Sequence, residues 1–271
     1  MSETPRAGST RTDIVRQSAV IAAAVFMLIG ATVGGGAFGG APVNELQNGA
    51  LSAEGSYLAP AGPAFAIWTV IYIGLACYTI WQALPAQRAD VRQRRAGWWI
   101  AGSMVLNGLW LVAARFGTLL LTVLVIVALL AVLARIIVLL GASHARNAVD
   151  RVLVDVTMGL HFGWVTIATV ANISAWLSQL LPQSFAEQAD VWGVAVLVVV
   201  TAIGTASALA TRRLSPAIAT AWGLAWLAVG RLTAEPASTA IGVTAVAAAV
   251  LIGAAGVYAA VRATPQRAAA R

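Results

Sequence analysis

Eight apolar stretches, each long enough to cross a membrane, constrain this chain more than any other feature. A helix needs about 20 mostly apolar residues to span the hydrocarbon core of a bilayer. The stretches lie at residues 17–39, 63–84, 96–114, 117–140, 152–178, 191–211, 214–231 and 238–261. They lack the alternating pattern of membrane β-strands, whereas a helix satisfies its own backbone hydrogen bonds in lipid. The sequence therefore predicts an all-α, polytopic membrane helix bundle with about eight transmembrane helices.

The positions of the arginines predict how the bundle is oriented. All 17 basic residues are arginines, and 14 of them fall on one side if successive stretches alternate in direction. That side includes both ends of the chain, with tails at 1–16 and 262–271. Cytoplasmic segments of membrane proteins are enriched in basic residues, so both termini are predicted to be cytoplasmic. The expected location is a plasma (inner) membrane of the bacterial type, and the net charge of +7 reports topology rather than nucleic-acid binding.

No catalytic or metal-binding motif is visible in the sequence. The single cysteine, Cys77, lies within an apolar stretch, which excludes a disulfide framework and a cysteine-based zinc site. Glycine-rich phosphate loops, HExxH, GxSxG and RNA-binding aromatic motifs are absent. We therefore expect no enzyme activity, no obligatory cofactor and no nucleic-acid partner.

The first apolar stretch has two interpretations, which the sequence leaves open. Arginines followed by an apolar run and by small residues at Ala37–Ala41 resemble a signal peptide with a cleavage site. The run Ala19–Val33 is already long for a signal peptide and is extended by glycines, which favours a retained helix. Gly30 and Gly34 have the GxxxG spacing of closely packed membrane helices.

Tryptophans and asparagines inside the apolar stretches point to an internal site. Ten tryptophans accompany only six phenylalanines. Tryptophans at helix ends mark the membrane surface, but Trp164 and Trp222 lie near the middle of their stretches. Asn107 and Asn172 are costly in hydrocarbon unless each finds a partner or a wet cavity.

These residues recur with helical spacing in three stretches and at similar depth. They are Trp68 and Tyr72 in the second stretch, Asn107 and Trp110 in the third, and Trp164, Ala168, Asn172 and Trp176 in the fifth. Residues four apart share a helix face, so three helices are expected to wall one aromatic, amide-lined cavity in the outer half of the bundle. Alternatively, the asparagines only hydrogen-bond one helix to another. The loop at about 40–62 is either a lid over the cavity or a plain connector.

The same residues resemble the TspO/MBR family of tryptophan-rich sensory proteins, which is related to the mitochondrial translocator protein. Three motifs carry the resemblance, in order, between Pro60 and Trp176. They are Pro60 through Trp68 and Tyr72 to Trp81, similar to the family's proline-rich loop and W-T-x-x-Y; Asn107 and Trp110, similar to L-N-x-x-W; and Trp164, Ala168, Asn172 and Trp176, similar to W-x3-A-x3-N-x3-W.

The resemblance implies a five-helix bundle, here residues 17–178, with an outward-opening pocket for flat hydrophobic ligands. In the family these are chiefly porphyrins and haem-pathway intermediates, and in some members sterols. The residues listed above for the three stretches would line the pocket, with indoles stacking on the ligand and amides orienting its polar edges.

Departures from the family pattern reduce the set of functions that the resemblance implies for this chain. His161 stands where the family usually has tyrosine, and Tyr57 stands roughly where a loop tryptophan linked to porphyrin photochemistry is expected, so porphyrin degradation is not expected. The tyrosine-plus-basic pattern linked to cholesterol is missing after the fifth stretch, which disfavours sterol transport. We expect His161 to be a hydrogen-bonded packing residue rather than an axial haem ligand.

The motifs end near residue 178 and leave three additional helices, at 179–261, without a counterpart. The preferred interpretation is a receptor or sensor in the lipid bilayer that binds a planar hydrophobic small molecule. One alternative is a small-molecule transporter whose additional helices supply a moving half, although the lack of midplane charge pairs argues against ion coupling. Another is a regulatory partner of a second membrane protein, or a homodimer, joined through helix faces of the GxxxG type.

Overall fold

Eight long α-helices form the described part of the chain, one for each apolar stretch. The computed structural model describes residues 9–36 and 41–268, and no strand occurs in that part of the chain. The helices are α1 (Arg11–Gly34), α2 (Ile67–Ala83), α3 (Val91–Phe116), α4 (Leu119–Gly141), α5 (Thr157–Leu180), α6 (Ala189–Thr211), α7 (Leu214–Thr233) and α8 (Thr239–Ala268). All except α7 belong to helical stretches that are long and apolar enough to cross a membrane. The predicted polytopic membrane helix bundle is therefore confirmed.

Helix α7 differs from the other seven because no part of it is apolar enough to count as a candidate membrane span. It carries Ser215, Pro216 and Thr220 in its first half and Arg231 in its last turn. It packs along α5 on one side and α8 on the other, so much of its surface contacts protein rather than lipid. Polar side chains are tolerated in such a helix because neighbouring helices supply hydrogen-bond partners.

Two of the long helices, α2 and α5, continue directly from a short helical turn. A 3₁₀ turn, Gly62–Ala66, leads into α2 with Pro63 in its first residues, where a missing backbone N–H costs nothing. A short helix, Ala148–Asp150, and a π-helical turn, Arg151–Val156, lead into α5. The backbone N–H and the hydroxyl of Thr157 both donate to the Val152 carbonyl, which closes the π turn.

Helix starts are fixed by side chains that cap free backbone N–H groups. Thr10 and Asp13 form a capping box at α1, and Thr118 caps α4. Asp90 accepts from the Gln93 N–H at 2.9 Å and caps α3. For this reason α3 begins at Val91, five residues before the apolar stretch predicted at 96–114.

The buried side chains form two main clusters. Helices α1 to α5 enclose the first, and α6 to α8 enclose the second together with Ile167 of α5 and Leu58 of the loop after α1. The two clusters meet where α7 packs along α5. Helix α1 is an integral part of the first cluster, since Val20 and Met27 are fully buried. Residues 37–40, where cleavage was the alternative, lie outside the described residues.

Small residues let the helix backbones approach closely at two crossings. A Cβ atom on Gly30 would lie 3.3 Å from the Gly108 Cα, so α1 and α3 touch through glycines. A Cβ atom on Gly163 would lie 2.9 Å from the Ala219 Cβ, which brings α5 and α7 together. The predicted GxxxG packing is therefore found inside the chain, and the Gly30 face is not free for a second copy.

An ion-pair network ties helices together at the end of the bundle that is rich in arginine. Arg92 of α3 bonds to Asp150 at 2.5 Å and also to Asp155 of the π turn. Asp155 in turn pairs with Arg213, just before α7, at 2.5 Å. Arg135, the one arginine deep in an apolar stretch, lies over the ring of Trp99 instead. The network links α3, α5 and α7 where both solvent and lipid headgroups are expected.

Candidate ligand-binding site

A small cavity lies among α2, α3, α4 and α5, beneath the outer loop, which we define as residues 41–61. Its volume is about 50 Å³, enough for a few water molecules. Six of the eight predicted site residues line it: Trp68, Asn107, Trp110, Trp164, Ala168 and Asn172. The three helices therefore turn their indoles and carboxamides toward one shared space, as their spacing predicts.

Asn107 is held in one orientation by two neighbouring side chains. The Tyr72 hydroxyl donates to Asn107 Oδ1 at 3.0 Å, and Asn107 Nδ2 lies 3.4 Å from His161 Nε2. Because an amide nitrogen is always a donor, His161 Nε2 accepts and the ring proton sits on Nδ1. His161 is fully buried, so it is a hydrogen-bonded packing residue next to the site.

Asn172 orients a tryptophan of the opposite wall. Trp110 Nε1 donates to Asn172 Oδ1 at 3.2 Å, and Asn172 Nδ2 donates to the Ala168 carbonyl at 3.0 Å. Oδ1 and Nδ2 of this amide are thus each bonded within the protein. Asn172 fixes the position of the Trp110 ring, and a ligand would meet indole rather than free amide on this side.

Three aromatic rings meet edge to face at the cavity wall. Trp164 is fully buried, and its ring centroid lies 5.5 Å from that of Phe65 and 6.1 Å from that of Trp68. Such geometry places the positive ring edge of one residue on the negative face of the next. Trp164 Nε1 has no hydrogen-bond partner among the described residues, although it is buried. A buried donor without an acceptor is costly, and here it belongs to a side chain of the cavity wall.

Two predicted site residues, Tyr72 and Trp176, do not line the cavity. Tyr72 lies one turn along α2 from Trp68, stacks on it at 5.4 Å and bonds to Asn107 from behind. Trp176 packs against the cluster formed by Ala50, Leu51, Ala114 and Leu119. Four-residue steps rotate by about 40° each around a helix, so the stripe that begins at Trp164 has turned away by Trp176.

Several lining residues were not predicted. They are Ala50, Leu51, Ser52, Ala59 and Pro60 of the outer loop, Phe65, Ile126 and Leu129 of α4, and Ala171. Helix α4 is apolar all round, so no sequence pattern marks its inward face. The loop was predicted as lid or connector, and its residues form one wall of the cavity. No side chain that lines the cavity is charged.

The outer loop is anchored at its start to the end of α3. Gln47 Nε2 donates to the carbonyls of Ala114 and Gly117 at 2.9 and 3.1 Å. Arg115 Nη1 donates to the Ala41 carbonyl at 2.9 Å. Tyr57, in the middle of the loop, lies against Trp192 of α6 rather than at the cavity. The loop therefore contacts both halves of the helix bundle.

Comparison with known proteins gives one family match. The family model described as TSPO-like protein matches residues 19–258, which includes α6, α7 and α8 as well as the five helices that carry the motifs. No curated protein and no solved structure matches the chain. A model that matches most of the chain and an aromatic cavity at the matching motifs agree, and the chain belongs to the TSPO-like protein family.

Proposed function

We propose that this multi-pass membrane protein is a receptor or sensor that binds a planar hydrophobic ligand, a porphyrin or a related tetrapyrrole, in the cavity beneath the outer loop. The observation that carries the proposal is the unused donor at Trp164 Nε1 in a wall of indoles. Indole faces stack on flat aromatic molecules, and a ring nitrogen or carbonyl of the ligand would accept from Trp164. The proposed location is a plasma membrane of the bacterial type.

Binding of such a ligand requires the cavity to widen. Pockets for ligands of drug size are roughly 300–1,000 Å³, whereas this one is about 50 Å³. Helices α2 to α5 are packed around a common core, so the wall that can move with least loss of packing is the outer loop. In this proposal the small cavity belongs to a closed form of the protein, and ligand binding selects an open one.

The proposal is tested by titrating the protein in nanodiscs with protoporphyrin IX and following porphyrin absorbance. Saturable binding is expected. Trp164→Phe removes the donor but keeps an aromatic ring, and it should weaken binding by roughly two- to tenfold, the net worth of one hydrogen bond. Trp98→Phe, at an exposed position on the opposite end of α3, is the matched control. Equal affinity of wild type and Trp164→Phe for the porphyrin would show that the ligand does not bind in this cavity.

We propose that binding, not catalysis, is the activity, with no obligatory cofactor. The cavity wall offers indoles, amides and aliphatic groups, and Ser52 is the only hydroxyl on it. Ser52 donates no side-chain hydrogen bond to a base there; its Oγ accepts from the Glu54 N–H. Incubation with protoporphyrin in light and in darkness tests this, and loss of the porphyrin spectrum with turnover would contradict it.

A transporter is the second candidate, favoured by the way α7 joins the two ends of the bundle. Near its start, Arg213 pairs with Asp155, and its last turn reaches the outer loop through Arg231. Rocking of one half against the other is how alternating access works in other transporter folds. Accumulation of porphyrin inside liposomes that contain the protein would favour this candidate over a sensor.

A further inference from the structure

Helix α7 holds the outer loop and the turn after it by hydrogen bonds that involve the backbone. The Ala61 N–H donates to the Trp226 carbonyl at 3.1 Å, and Trp222 Nε1 donates to the Ala64 carbonyl at 2.9 Å. A Cβ atom on Gly230 would lie 3.5 Å from the Ala61 backbone nitrogen, so the loop backbone lies directly against α7. Both bonds join α7 to residues 61–64, the segment that precedes α2.

Arg231, in the last turn of the same helix, donates hydrogen bonds to three backbone carbonyls, two of them in the outer loop. Its side chain is 1% exposed and donates to the carbonyls of Ala53 and Ser56 at 3.1 and 3.3 Å, and to that of Pro236 at 2.8 Å. No carboxylate forms an ion pair with it within the part of the chain that the structure describes. A buried cation needs such acceptors, and the guanidinium keeps two of its three only while the loop is closed. Its Nε is buried and has no hydrogen-bond partner among the described residues.

The segment that α7 holds is also a wall of the cavity. Ala59, Pro60 and Phe65 line the cavity, and Ala61 and Ala64, which lie between them in the chain, bond to α7. The segment is therefore sandwiched between the cavity and α7. Helix α7 itself is fixed along its length by α5 and α8, so the loop is the part that is free to move.

We infer that α7 is a latch: its bonds to Ala61, Ala64 and the Ala53–Ser56 carbonyls keep the outer loop closed, and a ligand enters or leaves the cavity only when they break. This inference rests on the proposed ligand-binding function and assigns a role to the C-terminal helices. Opening exposes Arg231 and the loop carbonyls to water, which hydrates them and makes the latch reversible.

A disulfide across the latch tests the inference. A Cβ atom on Gly230 would lie 3.6 Å from the Ala61 Cβ, within the roughly 3.5–4.5 Å that a disulfide requires. In a Cys77→Ala background, oxidised Ala61→Cys/Gly230→Cys should lose protoporphyrin IX binding, and reduction should restore it. The matched control is Ala221→Cys/Gly253→Cys, whose Cβ atoms would be 3.9 Å apart and which joins α7 to α8 without touching the loop.

The outcomes separate the latch from the binding function. If the reduced variant binds porphyrin and the oxidised one binds equally fast, the latch is wrong while the proposed function stands. If neither wild type nor the reduced variant binds, the proposed function is wrong, and the latch is then decided by a readout without ligand.

That readout is chemical modification of a cysteine on the cavity wall. In a Cys77→Ala/Ala168→Cys background, Trp222→Phe removes the donor to the Ala64 carbonyl and should speed maleimide labelling roughly two- to tenfold. Trp98→Phe, far from the loop, should leave the rate unchanged. Equal labelling rates with and without Trp222→Phe would overturn the latch.

Discussion

At the scale of single residues, the site depends on buried polar groups that hold one another in place. Asn107 is 3% exposed and uses both ends of its amide, one toward Tyr72 and one toward His161. The amide is therefore a fixed element of the wall rather than a free contact for ligand. His161 Nε2 accepts from the Asn107 amide, where a hydroxyl could also donate.

Loss of the Tyr72 hydroxyl is expected to destabilise the fold. Tyr72→Phe leaves Asn107 Oδ1 without its donor, and the expected loss is about 0.5–1.5 kcal/mol of unfolding free energy. The measurement is denaturant-induced unfolding in mixed detergent micelles. Tyr258→Phe is the control, because Tyr258 is half exposed on α8 and its ring contact with Arg262 does not need the hydroxyl. Equal stability of the two variants would show that the Asn107 bond contributes nothing.

Removing the charge of Asp155 should lower the free energy of unfolding more than removing the charge of Asp90. Asp155 bonds to two arginines of low exposure, so Asp155→Asn should lower the unfolding free energy by about 1.5–3 kcal/mol, the range for hydrogen bonds to charged groups. Asp90→Asn keeps the cap on α3 and loses only the pair with half-exposed Arg146, so a loss under about 1 kcal/mol is expected. The same unfolding measurement compares the two variants. A larger loss of stability for Asp90→Asn than for Asp155→Asn would contradict the network.

At the scale of helices, close approach of α5 and α7 fixes the position of the latch. Gly163→Ala would place a methyl group against Ala219 and the backbone of α7, and overpacking of this kind costs about 1–3 kcal/mol. Gly102→Ala on α3 meets nothing within 4 Å and should instead stabilise by about 0.5–1 kcal/mol, since alanine is the better helix former. Thermal unfolding of both variants measures these two changes in stability. A rise in stability for both would mean that α5 and α7 are not in close contact.

The helices could be predicted from the sequence because lipid forces long apolar runs to be helical. The prediction at 117–140 became α4 at Leu119–Gly141. The π turn at Arg151–Val156 could not be predicted, since a change from one helical period to another leaves no mark in a run of valines and charges. Polar residues in such runs need hydrogen-bond partners inside the bundle. For this reason Asn107 and Asn172 could be used to predict where the cavity lies.

The contacts of α7 with the outer loop could not be predicted from the sequence, because they involve backbone groups of the loop. The bonds of α7 to Ala61 and Ala64 involve loop main-chain groups, and any non-proline residue supplies such groups. Arg231 likewise meets only carbonyls, so no complementary acid marks its partner in the sequence. The contact of α7 with the segment that lines the cavity therefore emerges only from the fold.

At the scale of the whole molecule, the charges of the two ends decide which compartment the cavity faces. The network of Arg92, Arg213 and their acidic partners lies at one end, whereas the outer loop and the cavity lie toward the other. Arginine-rich ends stay in the cytoplasm, so the loop should face away from it. A ligand would then reach the cavity from outside the cell or from the outer leaflet.

Cysteine accessibility tests this orientation in the Cys77→Ala background. A membrane-impermeant maleimide should label Glu54→Cys, exposed on the outer loop, in intact cells. It should label Ala142→Cys, exposed at the end of α4, only after the membrane is permeabilised. The opposite pattern would turn the cavity toward the cytoplasm, and its ligand would then have to come from internal synthesis. Either pattern leaves the latch geometry intact, because the bonds between α7 and the loop do not depend on which side they face.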